Sequence, residues 1–467
     1  MPLEKLLSGL LQAGVMFSVF GAPELRAAPV NATVTSYVSI QEAVDRNPGR
    51  LVLVPAGYHV IHKAIRITAS NSGLWGPGWI IQANAAEAIV VVEGADGAQV
   101  RDVTLTRAEE ARETQQPGLH LRRCRDAVVA DVRVFENWSS SNAIRVEDCA
   151  RVVVRDCSIR NFTGMRVDDR TDSPHAGFAF NCTEGTAMNL INVVGALVHG
   201  NRIVEHRLLP TPELQKKYDL GKIVKKNAVK GQFISQENWD NNYVNLWRQG
   251  ASLKVGNGKT SDYLLLHGNF IENAQQGLDV HGDHVIVANN LVDNTPHGIK
   301  AMHGARNILI VGNQFAKSDL FGIGLMQGTA SHEAGRLPAG RKGEPVANVD
   351  GYSIIASNII SDFGRGHSSW LWPVGHSIGP APIQLGGGAF DETPPLREVL
   401  VTGNVVYDPG PGGVLVNGVP QVEAPRYRYA VRTEPGAAAP RGLIFADNVM
   451  EPGRDGLATE GLSAGRP

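Results

Sequence analysis

Between Ser252 and Gly328 the pattern of apolar and polar positions repeats itself. Leu264-Leu265-Leu266-His267-Gly268-Asn269, Val285-Ile286-Val287-Ala288-Asn289-Asn290 and Leu309-Ile310-Val311-Gly312-Asn313 are copies of one apolar run ending in Asn, spaced 21 and 23 residues apart. A second short strand precedes two of these runs, at Gly277–Gly282 and Gly298–Gly304, and a third copy, Gly322–Met326, follows the last. Repeats of this length, made of short apolar strands and Gly/Asn turns, cannot bury their own apolar face and must stack on their neighbours. The pattern predicts an all-β solenoid, a single-stranded parallel β-helix. Asn at the turn fits because it tolerates a left-handed backbone, and because stacked amides can hydrogen-bond as a ladder.

Positions equivalent to Asn269 elsewhere are Val103, Val132, Cys157, Asn201, Asn290, Asn313, Asn358, Asn404 and Asn448, so an apolar ladder is expected to give way to an amide ladder. Where the interval exceeds one coil, a loop is inserted. This puts insertions at about 164–185, 206–250, 330–349, 363–382 and 421–440 within a β-helix spanning 36–450. Long loops on a rigid scaffold wall a binding cleft. The capping box Ser39…Glu42 starts a short helix that closes the entry to the stack. Residues 453–467 are small and polar and read as a flexible tail.

Composition changes the picture little. A formal net charge of −2 argues against nucleic acid as a partner, and no later segment is long and apolar enough to span a membrane. Residues 1–28 carry Lys5, an apolar run and a small-residue end, which reads as a secretory signal or an N-terminal cap. Cys124 and Cys149 occupy equivalent places in successive coils and are expected as stacked core residues, with no CxxC spacing for a metal.

Alternation within the short strands sends Leu253/Val255, Leu278/Val280, Ile299/Ala301 and Ile323/Leu325 inward. The outward row then reads His120, Arg145, Asn189, Lys254, Asp279, Lys300 and Gly324, with Arg122, Glu147, His281 and Met302 beside it. Coils stack about 4.8 Å apart, so Lys254, Asp279 and Lys300 should form a cation–carboxylate–cation strip with His281 alongside. Such a strip suits β-elimination on an acidic polysaccharide. That reaction needs the uronate carboxylate neutralised, a base at C5 and an acid at the leaving oxygen. Lys254 or His281 would be the base, and Lys300 would hold the carboxylate. A self-satisfied surface ion ladder is the plain alternative. A glycoside hydrolase or transglycosylase would need Asp279 and a loop carboxylate. A uronan epimerase and a non-catalytic glycan-binding solenoid complete the alternatives.

Arg145, Asn189, Arg248 and His303, with Trp239, Tyr243 and Trp247 from the long loop, are candidate substrate contacts, the aromatic rings for stacking on pyranose units. Trp370 and Trp372 are similar candidates. Asp168, Asp169 and Asp172, near His175, form either a Ca²⁺ site or a solvated acidic turn. No cofactor is otherwise expected. A homo-oligomer remains open.

Helix, strand and the Pro55-Ala56-Gly57 turn in that order resemble the entry to right-handed β-helices of the pectin lyase-like superfamily, which implies that fold. His281-Gly282-Asp283-His284-Val285…Asn289-Asn290 resembles the central motif of the alginate/chondroitin lyase family. That family has a catalytic Arg where Val280 stands here, and its Lys base matches Lys259 only with a one-residue insertion. Asp172-Ser173-Pro174-His175 is similar to the Asp-Pro-His motif of mannuronan epimerases, with Ser173 inserted. No polygalacturonase-like cluster of Asp with Gly-His-Gly and Arg-Ile-Lys is present.

Overall fold

The computed structural model describes residues 32–172, 177–227, 248–256, 260–336, 346–366, 380–387, 393–407, 425–433 and 439–459, together with Leu462 and a short strand pair at 415–416 and 419–420. Three long sheets run the length of the molecule. One has 13 strands, from Ala32–Thr33 to Ile444–Ala446; two have 12, from Ile65–Ile67 to Gly456–Ala458 and from Tyr58–Ile61 to Val449–Met450. Each coil gives one strand to each sheet, and each strand pairs in parallel with its equivalent in the next coil. The chain is a parallel β-helix. Its last strand, Gly456–Ala458, falls within the segment expected to be a tail.

At the entry, the helix Ile40–Asp45 is capped as its sequence requires. The Ser39 hydroxyl accepts from the Glu42 backbone N–H at 3.1 Å, and the Glu42 carboxylate accepts from the Val38 N–H at 2.9 Å. Ile40, Ala43 and Val44 are buried against the first coils.

Inside, the inward residues of all three sheets form one continuous core that includes Leu253, Val255, Leu278, Val280, Ile299, Ala301, Ile323 and Leu325. Each Leu, Ile or Val among them contributes about 1.5–3 kcal/mol on burial. The turn ladder changes along the axis as the sequence predicts. Val103, Val132 and Cys157 are buried at the turn in the early coils. From Asn201 onward the amides are linked, Nδ2 of each donating to Oδ1 of the next, at 2.9 Å through Asn269, Asn290, Asn313, Asn358, Asn404 and Asn448. The left-handed residue is the one before each ladder Asn, for example Gly268 (φ 62), Asn289 (φ 54) and Gly312 (φ 66). The ladder Asn is therefore selected for its hydrogen bonds and not for its backbone conformation.

The four cysteines are free and buried, and the Cys124 N–H donates to Cys149 Sγ at 3.3 Å one rung away. The insertion at 164–185 is more ordered than a loop. Gly164–Asp169 and Phe178–Glu184 form an antiparallel hairpin, joined by Ile223–Lys226 and Arg248–Gln249 into a small sheet at the side of the solenoid.

Candidate functional site

The site lies on the outer face of the 12-stranded sheet that begins at Ile65–Ile67. Its register brings together the residues that alternation points outward. His120 pairs with Arg145, Arg145 with Asn189, Asn189 with Lys254, Lys254 with Asp279, Asp279 with Lys300 and Lys300 with Gly324. The flanking Leu278 and Val280 are in the core, so the Asp279 side chain leaves the strand on the opposite side. Asp279 is nonetheless only 5% exposed, because its neighbours on this face close over it.

Asp279 is the centre of a charged knot. His281 Nε2 is 2.8 Å from Asp279 Oδ1, Lys300 Nζ is 3.4 Å from the same oxygen, and Lys254 Nζ is 4.0 Å from Oδ2. Burial alone would push this carboxyl up, but His281, Lys300 and Lys254 together hold it well below the usual carboxylate range. Asp279 is thus an anion at any working pH and fixes one nitrogen of His281, whose Nδ1 has no protein partner among the described residues. Lys254 is the most open of the three partners, with its side chain 36% exposed.

Behind His281 stands His303, edge to face at a centroid distance of 4.6 Å. Burial and the neighbouring His281 push His303 down to about 3, so it is a neutral ring. Its Nδ1 accepts from the Ala330 N–H at 3.3 Å, which leaves the proton on Nε2. The segment after Met326 secures this arrangement. The Asn348 amide donates to the carbonyls of His303 and Ala330, and the Asp350 carboxylate accepts from the N–H groups of Gly304 and Ala305 and from the Ser331 hydroxyl. Sequence reading placed His303 among substrate contacts; it instead backs His281.

Several expected contacts take other places. Arg248 is 2% exposed, its Nε donating to Gln275 Oε1 and its Nη2 to the Ala274 carbonyl, so it braces the stacked turns instead of facing a ligand. Burial lowers it to about 10. Arg145 does face outward but is bonded to Glu147, and Asn189 donates to Asn142. Asp168, Asp169 and Asp172 do not converge. Asp168 pairs with Arg170 and Asp169 with Lys225, as expected of successive residues on one strand pointing to opposite sides. Among the described residues only Asp262, Asp283 and His284 bring three ligand groups together, and Asp283 there is already held by Arg306 and Asn307. Val280, at the position of the lyase family's Arg, is buried in the core and reaches no groove. Trp239, Tyr243, Trp247, Lys259, His175, Trp370 and Trp372 lie outside the described residues.

One functional candidate escaped the sequence reading. Glu184 ends the hairpin strand Phe178–Glu184, ion-paired with Arg166, and burial pushes it up to about 7 against the opposing pull of Arg166. Lys254 acts electrostatically on both Glu184 and Asp279, which ties the hairpin to the sheet floor. The available signal was a lone acid just before Gly185, at the end of the first long insertion.

No protein-family model matches the chain, and no curated protein sequence matches it. Solved structures do. The Dettilon tailspike protein (gp208) is similar at 13% identity with a TM-score of 0.55, over 92% of this chain and 66% of its own. A Yersinia enterocolitica family 28 exopolygalacturonase is similar at 10% identity with a TM-score of 0.53, over 91% of this chain and 78% of its own. The chain thus spans just under two thirds of the tailspike. At these identities the likeness concerns architecture alone, and it agrees with the sheets seen here: the chain has the right-handed parallel β-helix fold.

Proposed function

We propose that this protein is a carbohydrate-active enzyme that cleaves an acidic polysaccharide by β-elimination. The observation that supports this reading is the ionised Asp279 set between Lys254 and Lys300 with His281 hydrogen-bonded to it. Lys300 neutralises the uronate carboxylate and so acidifies the C5 proton. His281, oriented through Nε2 by Asp279, takes that proton on Nδ1. The C5–H electrons form the C4–C5 double bond, and the C4–O bond breaks with its electron pair on oxygen. Lys254 gives that oxygen a proton. A base so placed contributes roughly 10²–10⁴-fold to the rate. That a solved protein of this fold is named an exopolygalacturonase agrees with uronan chemistry on such a scaffold.

Glu184 favours a second reading, hydrolysis. A carboxyl near 7 beside a permanently ionised one is the acid and base pair that glycoside hydrolysis uses. The two stand two rungs apart, about 10 Å of rise, and Glu184 is further offset along the strand direction, since Asn189 and not Glu184 is in register with Lys254 and Asp279; hydrolysis would therefore need substrate bound across both.

The test is a panel of uronan substrates, followed both by ultraviolet absorbance of unsaturated product and by new reducing ends. Elimination gives both signals, and hydrolysis gives reducing ends alone. Epimerisation gives neither but exchanges the C5 proton with solvent. Binding without product or exchange identifies a glycan-binding solenoid. Export is part of the same proposal and rests on residues 1–28, which lie outside the described residues; N-terminal sequencing of the mature protein tests it.

A further inference from the structure

A concavity opens beside the Lys254–Lys300 floor, two to four rungs toward the N-terminal end. Its volume is ≈ 890 Å³, within the range of ligand sites. It is built rather than incidental. The strand Glu113–Thr114 pairs with Trp138–Ser139 to make one wall, and the Gly164–Asp169 and Phe178–Glu184 hairpin makes the other. The Trp138 ring is fixed by the Arg207 guanidinium 4.1 Å from its centroid. Gly164 sits between the walls, where a Cβ would come within 3.1 Å of the Trp138 carbonyl and 3.2 Å of Glu113 Oε2. A side chain at this position would press on both.

The lining differs in chemistry from the floor. The floor presents Lys254 and Lys300. The cleft presents Glu113, Gln115, Gln116 and Glu184, and its one lining cation, Arg166, is committed to Glu184. Carboxyls and amides are acceptors and donors for hydroxyl groups, and among the described lining residues a uronate would meet two carboxyls and only the one cation already paired with Glu184. Lys254 acts electrostatically on Glu184 on one side and on Asp279 on the other, so the cleft and the floor are neighbours on the same flank. Glu184 and Glu113 precede the strands two and four rungs from Asp279, roughly 10 and 19 Å of rise, the span of a few pyranose units.

We infer that this cleft is a subsite for an uncharged, hydroxyl-rich sugar unit of the same chain whose uronate occupies the Lys254–Lys300 floor. The substrate is then a mixed polysaccharide, uronate alternating with neutral sugar, and not a homouronan. This rests on the proposed function of the floor. It is tested by calorimetric titration with two oligosaccharide series, homouronate and alternating uronate–hexose, each from disaccharide to octasaccharide, under conditions where turnover is blocked by His281→Ala. The alternating series should gain about tenfold or more in affinity once it is long enough to reach Glu113, and the homouronate series should not. Gly164→Val, which crowds Trp138 and Glu113, and Glu113→Ala, which only trims the wall, should each remove that gain and leave disaccharide affinity unchanged. Equal gains in both series, or a gain that survives both variants, would overturn the inference. The floor is judged separately. If Lys300→Ala leaves disaccharide affinity intact, the floor assignment fails, while the length-dependent step still reports on the cleft.

Discussion

Asp279 Oδ1 lies 2.8 Å from His281 Nε2, and the two residues stand two positions apart on consecutive outward sites of one strand end. The pairing follows from the period of the strand, since i and i+2 share a face. It gives an otherwise ordinary imidazole a fixed orientation and a permanent counter-charge. Asp279→Asn should keep the fold and lower kcat by roughly 10²–10⁴-fold with a much smaller change in KM. Steady-state kinetics on the active substrate checks this, and equal losses in kcat/KM and in binding would instead assign Asp279 to substrate recognition.

Gly328 packs against the His303 ring, where a Cβ would come within 2.2 Å of Nδ1 and 2.4 Å of Cε1. Gly328→Ala must therefore displace the ring that backs His281. A shift of this kind near a reacting group costs roughly 10–100-fold in rate. The expected result is a lower kcat in a protein that melts cooperatively; an unchanged kcat would show that His303 does not position His281.

Burial pushes Asp350 up from the ordinary 3.8 to about 7. Between those values the folded chain holds a proton that the unfolded chain has released. Its contribution to stability is therefore largest at low pH, declines as pH rises toward 7 and stays at the lower level above. Glu184 adds a slope of the same sign. The difference in Tm between wild type and Asp350→Asn, followed from about pH 4 to about pH 8, isolates the Asp350 part. It should shift against the wild type as pH rises, and a flat difference would contradict this.

Asn290 accepts from the Asn269 backbone N–H and side-chain amide, both at 2.9 Å, and donates to Asn313 and the Leu266 carbonyl. Asn290→Ala leaves buried donors and acceptors on both neighbouring rungs without partners, each costing about 1–3 kcal/mol. Chemical denaturation should show that loss. In the apolar part of the ladder, Val132→Ala should cost about 1–2 kcal/mol through its cavity alone.

The solenoid, the inward and outward rows and the change from apolar to amide ladder were legible in the sequence because each is a periodic property. Leu253, Leu278, Ile299 and Ile323 sit in the core where alternation puts them, and Lys254, Asp279 and Lys300 are register neighbours on the outer face. What repeats can be read from one chain; what folds back cannot. Arg248 was taken for a sugar contact because it follows an aromatic loop, yet it turns under the stack to reach Ala274. The sequence of the Asp168–Asp172 segment fits either a cation loop or a solvated acidic turn, and only the hairpin assigns Asp168 and Asp169 to opposite sides with their own cations. Glu184 and the Glu113 wall depend on pairings between insertions, which carry no period. In the sequence His303 reads as a substrate contact and not as the ring packed on His281, because the segment that holds it begins more than twenty residues later.

The most direct measurement is the ultraviolet absorbance of unsaturated product from uronate-containing polysaccharides, recorded for the wild type, Lys254→Ala, His281→Ala and Lys300→Ala. Elimination on the Asp279 floor predicts absorbance that rises with wild type, is abolished by His281→Ala and falls sharply with either lysine variant. Full activity in all three variants, or new reducing ends with no absorbance, would contradict it.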